Sequence, residues 1–157
     1  MPFAIGAIGA SIGRPTTEQE HVLGTRVNGT GGTVYIYAHA DGAISAGDAV
    51  TIDASGEVTR ATIANAMAGK QIGFAQVAFS DNQYGWIAIS GNPLKVLVSA
   101  TSTLNVALYI GAVSGHLSTT AGSATMSGVA LQTASTTAAV SLFTAIVNWP
   151  KVRADGL

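Results

Sequence analysis

The chain has 157 residues, 48% hydrophobic but only 6% aromatic and 10% charged, with a formal net charge of −1 and no cysteine. This excludes a disulfide framework and a thiolate metal site, and it argues against a nucleic-acid binder, which needs a Lys/Arg patch to release counterions. No run reaches the roughly 18 apolar residues that a membrane span requires.

Residues 1–15 read as an extended arm. Phe3, Ile5, Ile8 and Ile12 are apolar anchors separated by Gly, Ala and Ser. The arm is expected either to pack on its own domain or to lie across a neighbour and extend an exposed sheet edge. It lacks the basic start of a signal peptide, and its glycines do not have the spacing of a dinucleotide loop. Residues 16–150 form the expected β domain. Thr16 or Thr17 followed by Glu18 and Glu20 predicts one capped helical turn over residues 14–21. Residues 25–27 then run into Asn28-Gly29, a hairpin-turn signal. The strand that follows puts Val34, Ile36 and Ala38 on one face and Tyr35, Tyr37 and His39 on the other.

The central stretch is residues 43–59. Gly47-Asp48 turns the chain into a strand with Val50 and Ile52 on one face and Thr51 and Asp53 on the other. Ser55-Gly56 reverses it into Glu57-Val58-Thr59, glycine supplying the positive φ that such turns need. Residues 62–69 read as one or two helical turns or an irregular connection, and residues 72–77 as a strand. Residues 84–90 and 94–99 are expected to be two strands joined by a turn at Gly91-Asn92-Pro93. The final strand, residues 139–149, has Val140, Leu142 and Ile146 on one face and Phe143, Val147 and Trp149 on the other. Pro150 is expected to end it, because proline cannot donate to a ladder. Residues 151–157 form a polar tail.

Part of this pattern returns. Ala107–Ile110 stands where Ala49–Ile52 stood, Ser114–Ser118 where Ser55–Thr59 stood, and Gly128-Val129-Ala130 echoes Gly73-Phe74-Ala75. Two related β-units and short strands with glycine turns every roughly 8–12 residues predict an all-β fold, a small antiparallel sandwich or barrel. No βαβ alternation is visible.

Side chains with chemistry are sparse. His39 and Asp41 could face one way, and His116 could join them, but a zinc site needs three or four ligands. Glu18, Glu20 and His21 read as a solvated cap. Asp48 and Asp53 lack the ligand ladder of a calcium loop, and no Gly-x-Ser-x-Gly elbow precedes a helix. No catalytic residue, cofactor or metal ligand is expected. A chain this poor in charge, against roughly 25% in an ordinary soluble domain, is expected either to have much of its surface covered by protein partners or to be a small Ala/Gly/Thr-rich β domain that is merely neutral. The candidate interface residues are Phe3, Ile5, Ile8, Ile12, Tyr35, Tyr37, Trp86 and Trp149. Trp86, Tyr35, Tyr37 and Tyr84 have core packing as the alternative, and with the Thr-rich loops a sugar-stacking patch in a carbohydrate-binding or host-adhesion module as another.

Residues 23–30 (Leu-Gly-Thr-Arg-Val-Asn-Gly-Thr), Tyr35-Ile36-Tyr37, residues 46–52 (Ala-Gly-Asp-Ala-Val-Thr-Ile), residues 73–77 (Gly-Phe-Ala-Gln-Val), Tyr84-Gly85-Trp86 and Gly128-Val129-Ala130 together resemble the small decoration, or cement, proteins of tailed bacteriophages. The likeness spans residues 20 to 150, and its motifs are turn-and-strand patterns. The resemblance implies a protein on the outer surface of the virion that binds the major capsid protein at capsomer junctions. It implies no catalytic residue, and a homo-oligomer in which a trimer is favoured over a dimer. Neither nucleic acid nor membrane is an expected partner.

Overall fold

A computed structural model describes the backbone of residues 4 and 5 and residues 11–99, 102–121, 124–134 and 139–153. The fold is all-β. Among the described residues eleven strands follow one another: β1 (Ala4–Ile5), β2 (Arg26–Gly29), β3 (Val34–Ala40), β4 (Ala49–Ile52), β5 (Glu57–Arg60), β6 (Gln71–Ala75), β7 (Tyr84–Val98), β8 (Tyr109–Ile110), β9 (Leu117–Ser118), β10 (Met126–Leu131) and β11 (Ser141–Val152). Most pairings are antiparallel, but β3 with β5 and β7 with β9 are parallel, so the sheet is mixed.

The pairings close into two rings that share β7. In the first, β3 pairs β5, β5 pairs β4, β4 pairs β6, β6 pairs the first half of β7, and that half returns to β3. In the second, the latter half of β7 pairs β9, and β9 pairs β8. The ring continues from β8 to the start of β10 through the Tyr109–Thr125 bridge. It then passes from β10 to β11 and back to β7. The registers match position by position. Ala40 lies opposite Val58 as Val98 lies opposite Leu117, and Ile52 opposite Val58 as Ile110 opposite Leu117.

This geometry sorts the side chains. One face of each strand in the first ring meets its neighbours in a single cluster: Ile36, Ala38, Ala40, Val50, Ile52, Val58, Ala75, Ile87 and Ile89. The corresponding positions of the second ring are Leu94, Val96, Val98, Leu108, Ile110, Leu117, Leu131, Ala145 and Val147, all buried as well. Alternation along a strand fixes these faces. Small Ala and Val side chains suit rings this narrow. The opposite face of β3 and β7 is also covered, so Tyr35, Tyr37 and Trp86 join the larger cluster.

Several expectations are corrected. Residues 14–21 form no helix, because Thr16 bridges to Tyr84 and the Glu20 amide donates to the Tyr37 hydroxyl, drawing the segment out along the sheet. Residues 62–69, by contrast, are the irregular connection that was one of the two readings: they make two turns, 63–65 and 68–69, and in the first Thr62 and Asn65 cap one another's amides. Residues 84–98 are one strand, since both halves of β7 find a ladder, the first on β3 and the second on β11. β11 runs through Pro150 to Val152, so the tail begins later than residue 151. Pro150 is tolerated because Trp149, in the left-handed region at φ +47°, bulges the strand there. The third echo of the repeat is out of register by one. Pairing aligns residues 129–131, not 128–130, with residues 73–75, because β10 shifts register between Ser127 and Val129.

The β4–β5 turn has an acid at its centre. Asp53 Oδ1 accepts from the Ser55 amide at 2.9 Å, the Ser55 hydroxyl at 2.7 Å and the Glu57 amide at 2.9 Å. Slight burial disfavours its charge, but these hydrogen bonds and the Gly56 amide outweigh that and hold the carboxyl below its ordinary pKa. A folded pKa below the unfolded one stabilises the fold above the ordinary carboxylate range. That contribution is lost as pH falls through the folded value. NMR titration is expected to show an Asp53 midpoint below a model carboxylate, moving upward in Ser55→Ala; an unmoved midpoint would discount the hydroxyl.

Candidate interaction surface

The predicted interface residues separate into three groups. Tyr35, Tyr37 and Trp86 are only 4%, 1% and 2% exposed, so the folded chain offers them to no partner. Tyr37 packs edge-on against Trp86 at 4.9 Å, and the His21 ring lies 5.1 Å from Tyr37 and 5.2 Å from Trp86. Residues 14–25 cover this aromatic face, which the alternation alone could not reveal. Burial also pushes the Tyr35 hydroxyl pKa up. Ile12 is likewise buried, packed with the core. Ile5 belongs to β1, whose backbone pairs with Asn28 and Gly29 of β2, so this part of the arm lies on its own chain. Phe3 and Ile8 fall outside the described residues. Trp149 is the exposed member, and the Arg26 guanidinium sits 5.2 Å from its ring centre.

A surface that the expected site did not include is the outer face of β11. Val140, Leu142 and Ile146 are 48%, 50% and 42% exposed, while Phe143, Ala145 and Val147 point inward. Leu142 stands opposite Leu97, Thr144 opposite Lys95, and Ile146 opposite Ala130. Lys95 is thus the charged residue of this face. The alternation separated the two faces of this strand in advance, but both were apolar, and no pattern said which one the core would take.

Beside the interior faces lies a buried ionic cluster. Asp48 is fully buried, and its Oδ2 accepts from the Ser45 amide at 2.7 Å and lies 3.0 Å from Arg60 Nε. Its Oδ1 is 4.0 Å from His116 Nε2. Arg60 also donates to the Ser114 carbonyl at 2.8 Å. Gly115 rests directly on the carboxylate, since a Cβ there would fall 2.5 Å from Oδ1. Asp48 and Arg60 come from the first unit and residues 114–116 from the second. The cluster therefore ties the units together. Its acid, base and imidazole face one another and the backbone.

A hollow of about 460 Å3 is lined by Ile12, Tyr35, Val77, Leu94, Gln76 and Lys95, among others. Its amide is spoken for: Gln76 Oε1 accepts from the Lys95 amide and Gln76 Nε2 donates to the Lys95 carbonyl. Among the described residues, no three His, Asp or Glu side chains come together where they could hold a metal ion. No helix among them is long and apolar enough to cross a membrane. No protein-family model matches the chain, and no curated protein sequence matches it.

Proposed function

We propose that this chain is a decoration protein of a tailed-phage head, bound to the outside of the major capsid protein lattice and clamping capsomer junctions. The observation that carries the reading is the outer face of β11, where Leu142 and Ile146, with Val140 just before the strand, stand exposed around Thr144 and Lys95 on a chain with few charges anywhere. Large apolar side chains exposed together on one strand face suit a protein partner. The resemblance of residues 20–150 to decoration proteins supplies the identity of that partner. The role is adhesive and non-enzymatic, on the virion's outer surface, and needs neither nucleic acid nor membrane. The mechanism is multivalent: each contact is weak, but an oligomer touching several capsomers gains from effective concentration. A trimer is the state that the resemblance favours. The carbohydrate-binding alternative drew on Trp86, Tyr35, Tyr37 and Tyr84 and on the Thr-rich loops; with Tyr35, Tyr37 and Trp86 interior, only Tyr84 of that aromatic set is left partly exposed.

The test is reconstitution. Purified chain added to heads that lack it is expected to co-sediment with them and to appear as regular density at capsomer junctions. Leu142→Asp combined with Ile146→Asp is expected to abolish that binding with a melting temperature close to wild type, both positions being exposed. Full occupancy by the double variant would remove β11 from the interface, and a wild-type chain that ignores heads would end the reading.

A further inference from the structure

The start of β3 carries two polar side chains with nothing to hold. Thr33 and Tyr35 stand two residues apart on extended backbone, so they share one face. They are only 8% and 4% exposed. Among the described residues neither hydroxyl makes a hydrogen bond, whereas the next tyrosine on that face, Tyr37, accepts from the Glu20 amide. Folding disfavours a buried hydroxyl without a partner, and native structures leave few of them. Neither oxygen is sealed in, and both residues line the hollow of about 460 Å3 described above.

The rest of the hollow has a character to match. Ile12, Val77 and Leu94 give it apolar walls, and its size falls within the roughly 300–1,000 Å3 of small-molecule sites. Among the described residues no Asp or Glu lines it. Lys95 stands at its margin, exposed and in no ion pair among those residues, on a flexible stem that can carry the ammonium over the opening. Gln76 is committed to the Lys95 backbone and so fixes that margin. We propose that the hollow binds a small molecule with an apolar body and a carboxylate head, the body against Ile12, Val77 and Leu94 and the head accepting from the Tyr35 hydroxyl with Lys95 as its counter-charge.

The chemistry fits that ligand. A carboxylate is an acceptor only, so a hydroxyl donor suits it without asking for a donor in return. Charge-assisted hydrogen bonds of this kind are shorter and stronger than neutral ones. Thr33 offers a second donor on the same face. A cationic ligand would meet Lys95 and find no acid to answer it. The site uses none of the exposed apolar side chains of β11 and stands independently of the capsid reading.

NMR titration of the full, isotope-labelled chain with octanoate is expected to move the methyl signals of Ile12, Val77 and Leu94 to saturation, while octylammonium leaves them in place. Tyr35→Phe keeps the ring and removes the donor. It is expected to weaken octanoate about tenfold. The free variant should melt no lower than wild type, because the hydroxyl it loses had no partner. Lys95→Gln is expected to weaken binding and to flatten its dependence on salt. Octanoate that moves none of these signals overturns the proposal, as does octylammonium that moves them equally. So does a Tyr35→Phe chain that binds octanoate as tightly as wild type. A Tyr35→Phe chain that melts well below wild type overturns it too, since the hydroxyl would then be holding the fold and not awaiting a ligand.

Discussion

Replacing Asp48 by alanine is expected to lower the melting temperature by roughly 5–10 °C, from a loss of about 2–3 kcal/mol in a chain of this size. Breaking a buried ion pair by removing one partner typically costs about 3–5 kcal/mol, because the other charge is stranded. Arg60 is 35% exposed and can turn partly toward water, which sets the lower figure. The Ser45 amide loses its acceptor in the same step. The damage is expected to concentrate at the joint between the units. Hydrogen exchange should speed up at the Ala49 and Gly115 amides, whose bonds cross from one unit to the other or to its flank. Asp48→Asn keeps an oxygen for the Ser45 amide but loses the charge, so it should recover part of the loss and leave the rest. An alanine variant that melts with the wild type would mean the cluster is incidental to the joint.

Gly128→Ala is expected to destabilise the fold by about 3 kcal/mol, of which left-handed strain accounts for about 1–2 kcal/mol. The backbone there has φ +79°, and a Cβ would lie 2.4 Å from the Asn148 carbonyl oxygen and 3.3 Å from Pro150 Cα. Those atoms belong to the backbone of β11 and cannot swing aside. Gly42→Ala is the control. It has φ +97° but open space around the added methyl, so it should show the strain alone. Comparing the two melting curves isolates the close approach, and equal losses would mean that the β10–β11 bulge can simply spread. The bulge matters because it lets β11 run past Trp149 and Pro150 to pair Lys151 with Gln71, tying the second unit back to the first.

Much of the local structure was legible. The turns at Gly47 and Gly56 lie where glycine was needed, with φ +90° and +85°. The faces of β3 and β4 divide as alternation said they would. The likeness of residues 49–59 to residues 107–118 turned out to be a likeness of strand register. The failures share a cause. Gly91-Asn92-Pro93 reads as a turn when each half of β7 is considered alone, and becomes continuous strand once β3 and β11 supply ladders on either side. Pro150 reads as a stop until a bulge accommodates it. The aromatics of β3 and β7 read as a surface patch until residues 14–25 are laid over them.

The candidate surface divides in the same way. That one of the two faces of residues 140–149 would stay exposed was implicit in a strand apolar on both sides, but the choice required knowing that β7 and β10 flank it. Asp48 read as a turn residue, and nothing in its neighbourhood pointed 54 residues ahead from Arg60 to Ser114. By itself, the order of residues determined an all-β chain, its turns, its repeat and its shortage of charge, because backbone preference and period-two alternation act between near neighbours. Only the tertiary structure decided which apolar faces are covered and which acid meets which base. Those outcomes depend on surfaces brought together from distant parts of the chain, where burial and pairing energies outweigh local preference.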